Sequence, residues 1–186
     1  MLKFIHCAIL ALMLTPGAAS AQEYSPNLSE VRPLAEQGNA EAQLRLGVMY
    51  YKGLGVPKDY AEAMKWLRLA AEQGYAHAQT LLGGMYLGLG QGVPKDYAEA
   101  AKWLRLAAEQ GYASAQALLG GMYGRGQGVP KNYTTAYMWL NIAAANDAND
   151  AAKVRDIFEN LMNAADISEA QQRARVCIES DYQECD

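Results

Sequence analysis

The sequence predicts an all-α fold: an α/α solenoid of tandem helix-loop-helix repeats with capping helices at its ends. Three observations predict it. The 186-residue chain repeats itself at a spacing of 36 or 37 residues. Each repeat contains two apolar patterns of helical period, and the segments between them are rich in glycine and proline. Repeats of this length are typical of solenoids, in which each unit buries its apolar face against its neighbours.

The start of the chain, residues 1–21, predicts a cleaved secretory signal peptide. A basic residue precedes a short apolar run over residues 5–14, and Ala19-Ser20-Ala21 is a small-x-small cleavage motif, so cleavage is expected between Ala21 and Gln22. The run is too short to span a bilayer as a helix. A buried N-terminal helix is the alternative. We therefore expect an exported protein with no membrane span after cleavage.

The first helix of each unit carries a glycine in its interior. In the first unit this helix is expected over residues 39–52, with Gly47 on the same face as Gln43, Leu46 and Tyr50. Glycine disfavours a helix interior, so its return in all three units predicts a close approach of two helices that leaves no room for a Cβ. A loop of glycine, valine and proline then ends the helix.

The second helix of the first unit is expected to begin at Asp59, with Glu62 completing a capping box, and to end at Gly74. The tryptophans and tyrosines that recur in each unit are predicted to form the core between helices. A sugar-binding strip is the alternative, which their fixed repeat positions disfavour. The predicted repeat core comprises Gly47, Gly83, Gly120, Tyr50, Tyr86, Tyr123, Trp66, Trp103 and Trp139.

The repeat also sets the expected boundaries along the chain. Residues 22–34 are predicted to be a linker and a half-repeat cap, and three repeat units follow over residues 35–70, 71–107 and 108–143. Residues 144–186 are predicted to form capping helices and a tail, because terminal units need a polar outer face.

Two cysteines, Cys177 and Cys185, remain after signal cleavage. An even number in an exported protein favours a disulfide. On one continuous helix the two would lie about 12 Å apart at 1.5 Å per residue, whereas a disulfide needs Cα atoms within about 7 Å. The last helix, expected to open at a capping box over residues 168–171, is therefore predicted to end near Ser180. A metal pair is the alternative, although two thiols without a nearby histidine make a poor zinc site.

The residue inventory predicts no catalytic constellation, no metal site and no cofactor. His77 is the one histidine left after signal cleavage, and a surface role is expected because Glu41 and Ser114 take its place in the other units. The sequence has no Gly-x-Ser-x-Gly elbow and no phosphate-binding glycine loop, while a carboxylate pair acting on a glycan stays open. A net charge of −4 without a basic block argues against nucleic acid as a partner.

These units resemble Sel-one-like repeats, relatives of the tetratricopeptide repeat with a longer loop between the helices. The resemblance rests on an Ala-Glu-x-Gly turn, a Leu-Gly-x-x-Tyr helix, a Gly-x-Gly-Val-x-x-Asp loop and an Ala-x-x-Trp helix, in register three times over about residues 35–145. It implies a right-handed superhelix and a monomeric, non-catalytic adaptor or scaffold that binds another protein or peptide. It also implies a bacterial periplasmic location, with secretion as the alternative.

The resemblance places the first helices on the concave side of the solenoid, where a partner would bind. Positions that change between units are expected to face this groove, and neutral solvent surface is the alternative. The predicted groove residues are Glu41, Arg45, Val48, Lys52, His77, Leu81, Gly84, Gly88, Ser114, Leu118, Gly121 and Arg125. The first unit offers charges, whereas Gly84 and Gly121 are expected to make room for an apolar segment over Leu81 and Leu118.

Two other functions stay open at this point. Some exported relatives of this repeat type are linked to cell-wall peptide or glycan fragments and to β-lactam-like ligands, so the resemblance also allows a binder of such ligands. A hydrolase of the same ligands is the third reading, and the residue inventory disfavours it.

Overall fold

A computed structural model describes residues 27–89, 92–148 and 150–185. Within those ranges the chain forms helices and no strand, which confirms the all-α prediction. The predicted signal peptide and its cleavage point lie outside the described residues. In chain order the helices are α1 (Leu28–Glu36), α2 (Ala40–Lys52), α3 (Tyr60–Glu72), α4 (Ala76–Gly84), α5 (Tyr97–Ala108), α6 (Ala113–Arg125), α7 (Tyr133–Ala145), α8 (Ala151–Glu159) and α9 (Ala164–Glu179).

Three helix pairs repeat along the chain: α2 with α3, α4 with α5, and α6 with α7. Each first helix packs against the second helix of its own unit and against the second helix of the unit before it. The middle unit carries the one extra residue, and α4 runs on there into a π-helical turn, Met85–Leu89. Gly88 within this turn takes a left-handed conformation (φ 98°), so the extra residue is accommodated where the helical backbone ends. The arrangement is the α/α solenoid that the repeat predicts.

Each first helix touches its own second helix through its interior glycine. The ideal Cβ would lie 2.7 Å from the Cγ of Leu67 for Gly47, 2.6 Å from that of Leu104 for Gly83 and 2.8 Å from that of Leu140 for Gly120. These three leucines are almost completely buried. A side chain at any of the glycines would therefore push the two helices of its unit apart, as the sequence predicts.

A buried glutamine in each first helix joins three helices. The side-chain amide of Gln79 donates to the carbonyl of Ala71 at the end of the preceding second helix (3.1 Å), and its side-chain carbonyl accepts from Gln110, just after its own second helix (2.8 Å). Gln79 is 3% exposed, so an unpaired amide would be costly. The equivalent bonds are Gln43 to Ala35 (3.2 Å), Gln73 to Gln43 (2.8 Å), Gln116 to Ala108 (3.1 Å) and Asn146 to Gln116 (2.9 Å).

The repeated tyrosines lie at the edge of the core and not within it. Tyr50, Tyr86 and Tyr123 are half-buried, while the three tryptophans are buried. Each tyrosine hydroxyl accepts a hydrogen bond from an arginine of the preceding second helix: Arg32 to Tyr50 (2.6 Å), Arg68 to Tyr86 and Arg105 to Tyr123. The tyrosines therefore tie each unit to the one before it, which sequence reasoning did not reveal.

The capping box predicted at the second helix is wrong in one of its two bonds. Asp59 caps α3, because its carboxylate accepts from the backbone N–H groups of Ala61 and Glu62. However, the Asp59 N–H donates to the Tyr50 carbonyl (3.0 Å), and the Glu62 carboxylate accepts from Nε1 of Trp66 (3.0 Å). The loop ends on the first helix of its unit, and this frees Glu62 to satisfy the buried indole.

The last helix begins earlier than predicted. Asn163 caps α9 by accepting from the Asp166 N–H, so the helix opens at Ala164, and the capping box predicted over residues 168–171 lies inside it. Its end is where the cysteine spacing places it, at Glu179 with Ser180 as the cap. Asn163 also donates to the Asp166 carboxylate (2.9 Å), and nothing ends the helix between this cap and residue 168.

The predicted disulfide joins Cys177 and Cys185, whose Cα atoms are 4.5 Å apart. The bond closes a tail that carries Tyr182 back to the third unit. There the Tyr182 hydroxyl accepts from Asn146 (2.8 Å), and its ring lies against Gly111, where a Cβ would come within 2.8 Å of it. Because α9 packs on α7, the tail holds α9 against the last full unit.

Gly120 and Gly121 are neighbours on α6 and provide a matched test of the close contact. We expect Gly120→Ala to lower the free energy of unfolding by about 1–3 kcal/mol, because its Cβ would overlap Leu140. Gly121→Ala meets just the flexible end of Arg125 and is expected to be neutral or to stabilise by up to about 1 kcal/mol through helix propensity. Urea unfolding measures both, and equal losses would contradict the close-contact explanation.

Replacing both cysteines by serine tests the tail. The disulfide closes a short loop, so Cys177→Ser with Cys185→Ser is expected to lower the free energy of unfolding by about 2–3 kcal/mol. The same loss should appear on reduction of the unaltered protein and should be absent when the serine variant is reduced. An unchanged thermal midpoint in the serine variant would show that α9 holds without the bond.

Candidate functional site

The predicted groove lies along the first helices, and part of it is a pocket of about 640 Å³ beside α2. Six of the predicted groove residues line this pocket. They are Glu41, Arg45, Val48, Lys52, His77 and Leu81. Neighbouring first helices run side by side, so residues of α2 and α4 come to face one space. The structure thus brings together the groove residues of the first unit and two from the second.

Sequence reasoning missed one wall of the pocket, which α1 supplies through Asn27, Glu30 and Val31. α1 stands where the second helix of an earlier unit would stand, and the described residues place no first helix in front of it. Its inner side is therefore open to the pocket. The floor is apolar, with Leu44 and Leu54, and two tyrosines stand at the rim, Tyr51 and Tyr75.

The predicted residues of the third unit lie apart from this pocket. Ser114 and Arg125 are exposed and Leu118 is half-buried. Gly84 and Gly121 are buried. A Cβ on Gly121 would lie 3.2 Å from the guanidinium of Arg125 on the same helix, so this flexible side chain lies beside that glycine. That Gly121 makes room for a ligand stays a prediction.

Charges at the pocket are partly paired. Glu41 and Arg45 form an ion pair one turn apart on α2. Lys52 has no ion pair among the described residues. Its positive charge disfavours protonation of the His77 imidazole and so lowers the pKa of His77. The pocket thus combines an apolar floor with one unpaired cation near an imidazole.

His77 belongs to the second unit but also contacts the third. Its ring stacks on Tyr112 with 5.7 Å between ring centroids. Partial burial of the imidazole lowers the pKa of His77 below its usual value of 6.5, and the positive charge of Lys52 lowers this pKa further. His77 is therefore neutral at pH 7, and it offers a polar ring without a charge to whatever enters the pocket.

Among the described residues, no three histidine, cysteine, aspartate or glutamate side chains converge in a way that would hold a metal ion. The two cysteines in those ranges are joined to each other. None of the described helices is long and apolar enough to cross a membrane.

A family model of the Sel1 repeat matches the chain three times in succession, over residues 40–75, 76–112 and 113–147, which is more than half of its length. The chain belongs to the Sel1 repeat family. Sel1 repeat proteins are generally non-catalytic scaffolds that mediate protein interactions. Each match begins where a first helix begins and takes in the second helix that follows it.

Two solved structures are similar to this Sel1 repeat protein. A Sel1 repeat protein from Oxalobacter formigenes is 38% identical, with a TM-score of 0.62 over 69% of this chain and 96% of its own. A protective antigen of uropathogenic Escherichia coli strains, which displays the SLR fold, is 34% identical, with a TM-score of 0.51 over 85% of this chain and 42% of its own. No curated protein matches the chain.

The pKa of His77 can be measured directly in the folded protein. We expect its NMR titration midpoint to lie below 6.5 and to rise towards 6.5 in Lys52→Met. Because the unfolded chain binds the proton more readily, stability should fall as the pH drops below about 6.5. His77→Gln serves both to assign the resonance and to remove this pH dependence. A midpoint above 6.5 would contradict the described surroundings of the ring.

Proposed function

We propose that this protein is an exported adaptor whose first-helix groove holds a peptide or helix of a partner protein. The pocket beside α2 carries the proposal, because it gathers predicted groove residues from two units into one space with an apolar floor. The Sel1 repeat supports it, since this fold is that of a protein-protein interaction scaffold. No reaction is assigned to it.

Export is the second part of the proposal. The pattern of residues 1–21 is that of a cleaved signal peptide. The Cys177–Cys185 disulfide supports it, because such bonds persist in oxidising compartments. A bacterial periplasm is the compartment we propose, with release from the cell as the alternative, and the protein acts there as a monomer.

The size of the pocket favours a second candidate, the binding of a cell-wall fragment or a β-lactam-like ligand. A volume of about 640 Å³ suits a small molecule, and Tyr51, Tyr75 and His77 give it rings for contact with a sugar or a peptide. A ligand that binds the native state raises the thermal midpoint as its concentration exceeds its dissociation constant. A rise in the thermal midpoint with muropeptides would favour this small-ligand function over the adaptor function.

Affinity capture from an envelope extract tests the adaptor function. We expect one or more proteins to be retained by the unaltered protein and lost with Leu81→Asp combined with Leu118→Asp, because both leucines lie in the groove rows. The matched control is Leu69→Asp with Leu106→Asp, which places the same charges on exposed leucines of the second helices. This control should retain the same proteins.

Both groove leucines are half-buried, so circular dichroism must first show that the variant keeps its helices. Equal retention by the groove variant and the control would remove the groove from the proposal. Retention of no protein by any form, together with a muropeptide-induced shift in the midpoint, would favour the small-ligand candidate.

A further inference from the structure

α8 stands in the place of a fourth first helix. Asp147 takes the left-handed conformation (φ 60°) that glycine takes at the same point of the earlier units. The Ala148 N–H then donates to the Ala143 carbonyl (2.9 Å), as the Tyr112 N–H donates to the Ala107 carbonyl (3.1 Å). α8 packs on α7 and touches α6, as α6 packs on α5 and touches α4. Within the described part of the chain, the row of first helices therefore has four members.

This register continues the groove with large apolar side chains. Ile157 takes the position that Val48 holds in the first unit, and Leu161, in the turn after α8, takes that of Lys52. Ile157 is 60% exposed and Leu161 58%, the highest values among the large apolar residues that the structure describes. Val154, one turn before, is half-buried. Exposed apolar side chains grouped in this way mark a surface that another molecule covers.

The absence of a second helix after α8, among the described residues, does not explain why Ile157 and Leu161 are exposed. On the side of α8 that would meet a second helix, Asp156 and Glu159 replace the glycine and tyrosine of the earlier units. Arg155, in place of the leucine, packs on α7, where its guanidinium donates to the Asn141 side chain (3.2 Å). That side is polar, as a terminal helix requires. The groove side, with Ile157 and Leu161, is apolar.

A line of cations runs along the same groove. Lys52 and Arg125 hold equivalent positions in the first and third units. In the second unit that position is Gly88, and the chain of Lys95 lies across it, with Cε 2.5 Å from where a Cβ would be. None of these three cations has a carboxylate partner among the described residues.

The groove's carboxylates, in contrast, are mostly neutralised. Glu41 pairs with Arg45, and Asp150 pairs with Lys153 (2.6 Å). Glu30 on α1 is the exception. Three unpaired cations therefore face one unpaired carboxylate, in a chain whose net charge is −4. A positive line on an acidic protein attracts negative groups and repels positive ones, which sets the choice of partner.

We propose that the groove extends over α8 and takes an acidic peptide segment of a partner protein, with carboxylates towards Lys52, Lys95 and Arg125 and apolar side chains over Ile157 and Leu161. The inference rests on the proposed function and names the chemistry of its partner. Four first helices spaced about 8–10 Å apart span about 30 Å. This length accommodates about 9 extended residues or about 20 helical ones.

A library of random displayed peptides, each about 20 residues long, provides the probe. Selection on the unaltered protein is expected to enrich peptides that carry several Asp or Glu residues and at least one apolar pair. The strongest peptide is then synthesised with a fluorophore, and its affinity is measured by anisotropy. A rising salt concentration should lower this affinity, because the groove cations are exposed and salt screens their charges.

Two groove variants and one control locate the contact. Lys52→Glu with Arg125→Glu is expected to lower the affinity for the peptide by about ten-fold or more. Ile157→Ser with Leu161→Ser is expected to lower this affinity by about five-fold or more. The control, Lys65→Glu with Lys102→Glu, makes the same change of charge on exposed second-helix lysines and should stay within about two-fold. All six positions are exposed, so folding is expected to survive.

The outcomes separate this inference from the function on which it rests. Enrichment of basic or uncharged peptides, or equal weakening by the control, would overturn the acidic partner and leave a peptide-binding groove. Enrichment of no peptide would overturn both. Light scattering adds one more outcome: a dimer that becomes a monomer in Ile157→Ser with Leu161→Ser would show that a second copy covers α8, and would overturn the inference.

Discussion

The buried glutamine of each first helix is the interaction on which the rest of the array depends. An amide side chain with almost no access to water must find both a donor and an acceptor, and Gln79 finds them on two different second helices. One side chain thereby fixes the relative position of three helices. Gln43 and Gln116 make the equivalent bonds, so each first helix is joined in the same way to the two second helices beside it.

Because the glutamine, glycine and tryptophan of each unit hold the array together, the remaining first-helix positions are free to serve binding. The side of α2 that carries Gly47 is closed against Leu67, while Lys52 and Val48 face a pocket. The side of α2 that packs on α3 and the side that lines the pocket are thus different. Charges, a histidine and leucines alternate in the groove rows across units.

The repeated features can be predicted from the sequence, because a residue type that returns at the same position in each unit indicates the same structural role each time. The close contact at Gly83 and the cap at Asp59 are of this kind, whereas the end of α9 at Ser180 follows from the spacing of the two cysteines. The sequence does not reveal pairings that join different units. Arg68 bonds to Tyr86 eighteen residues on, and nothing in either motif signals the other. The Arg125 guanidinium beside Gly121 is a similar case, because a glycine in a sequence does not show which side chain lies next to it.

The two exposed sides of α8, the helix at the end of the array, differ in polarity. α8 must close the solenoid, and it does so with Asp156 and Glu159 on the side where a second helix would lie. α9 leaves that side to water and packs on α7, where the disulfide and Tyr182 hold the tail. Closure of the array therefore needs no apolar residue on the groove side of α8. Ile157 and Leu161 are nevertheless present and exposed, and since burying apolar area is the main source of binding energy, their presence is best explained by contact with another molecule.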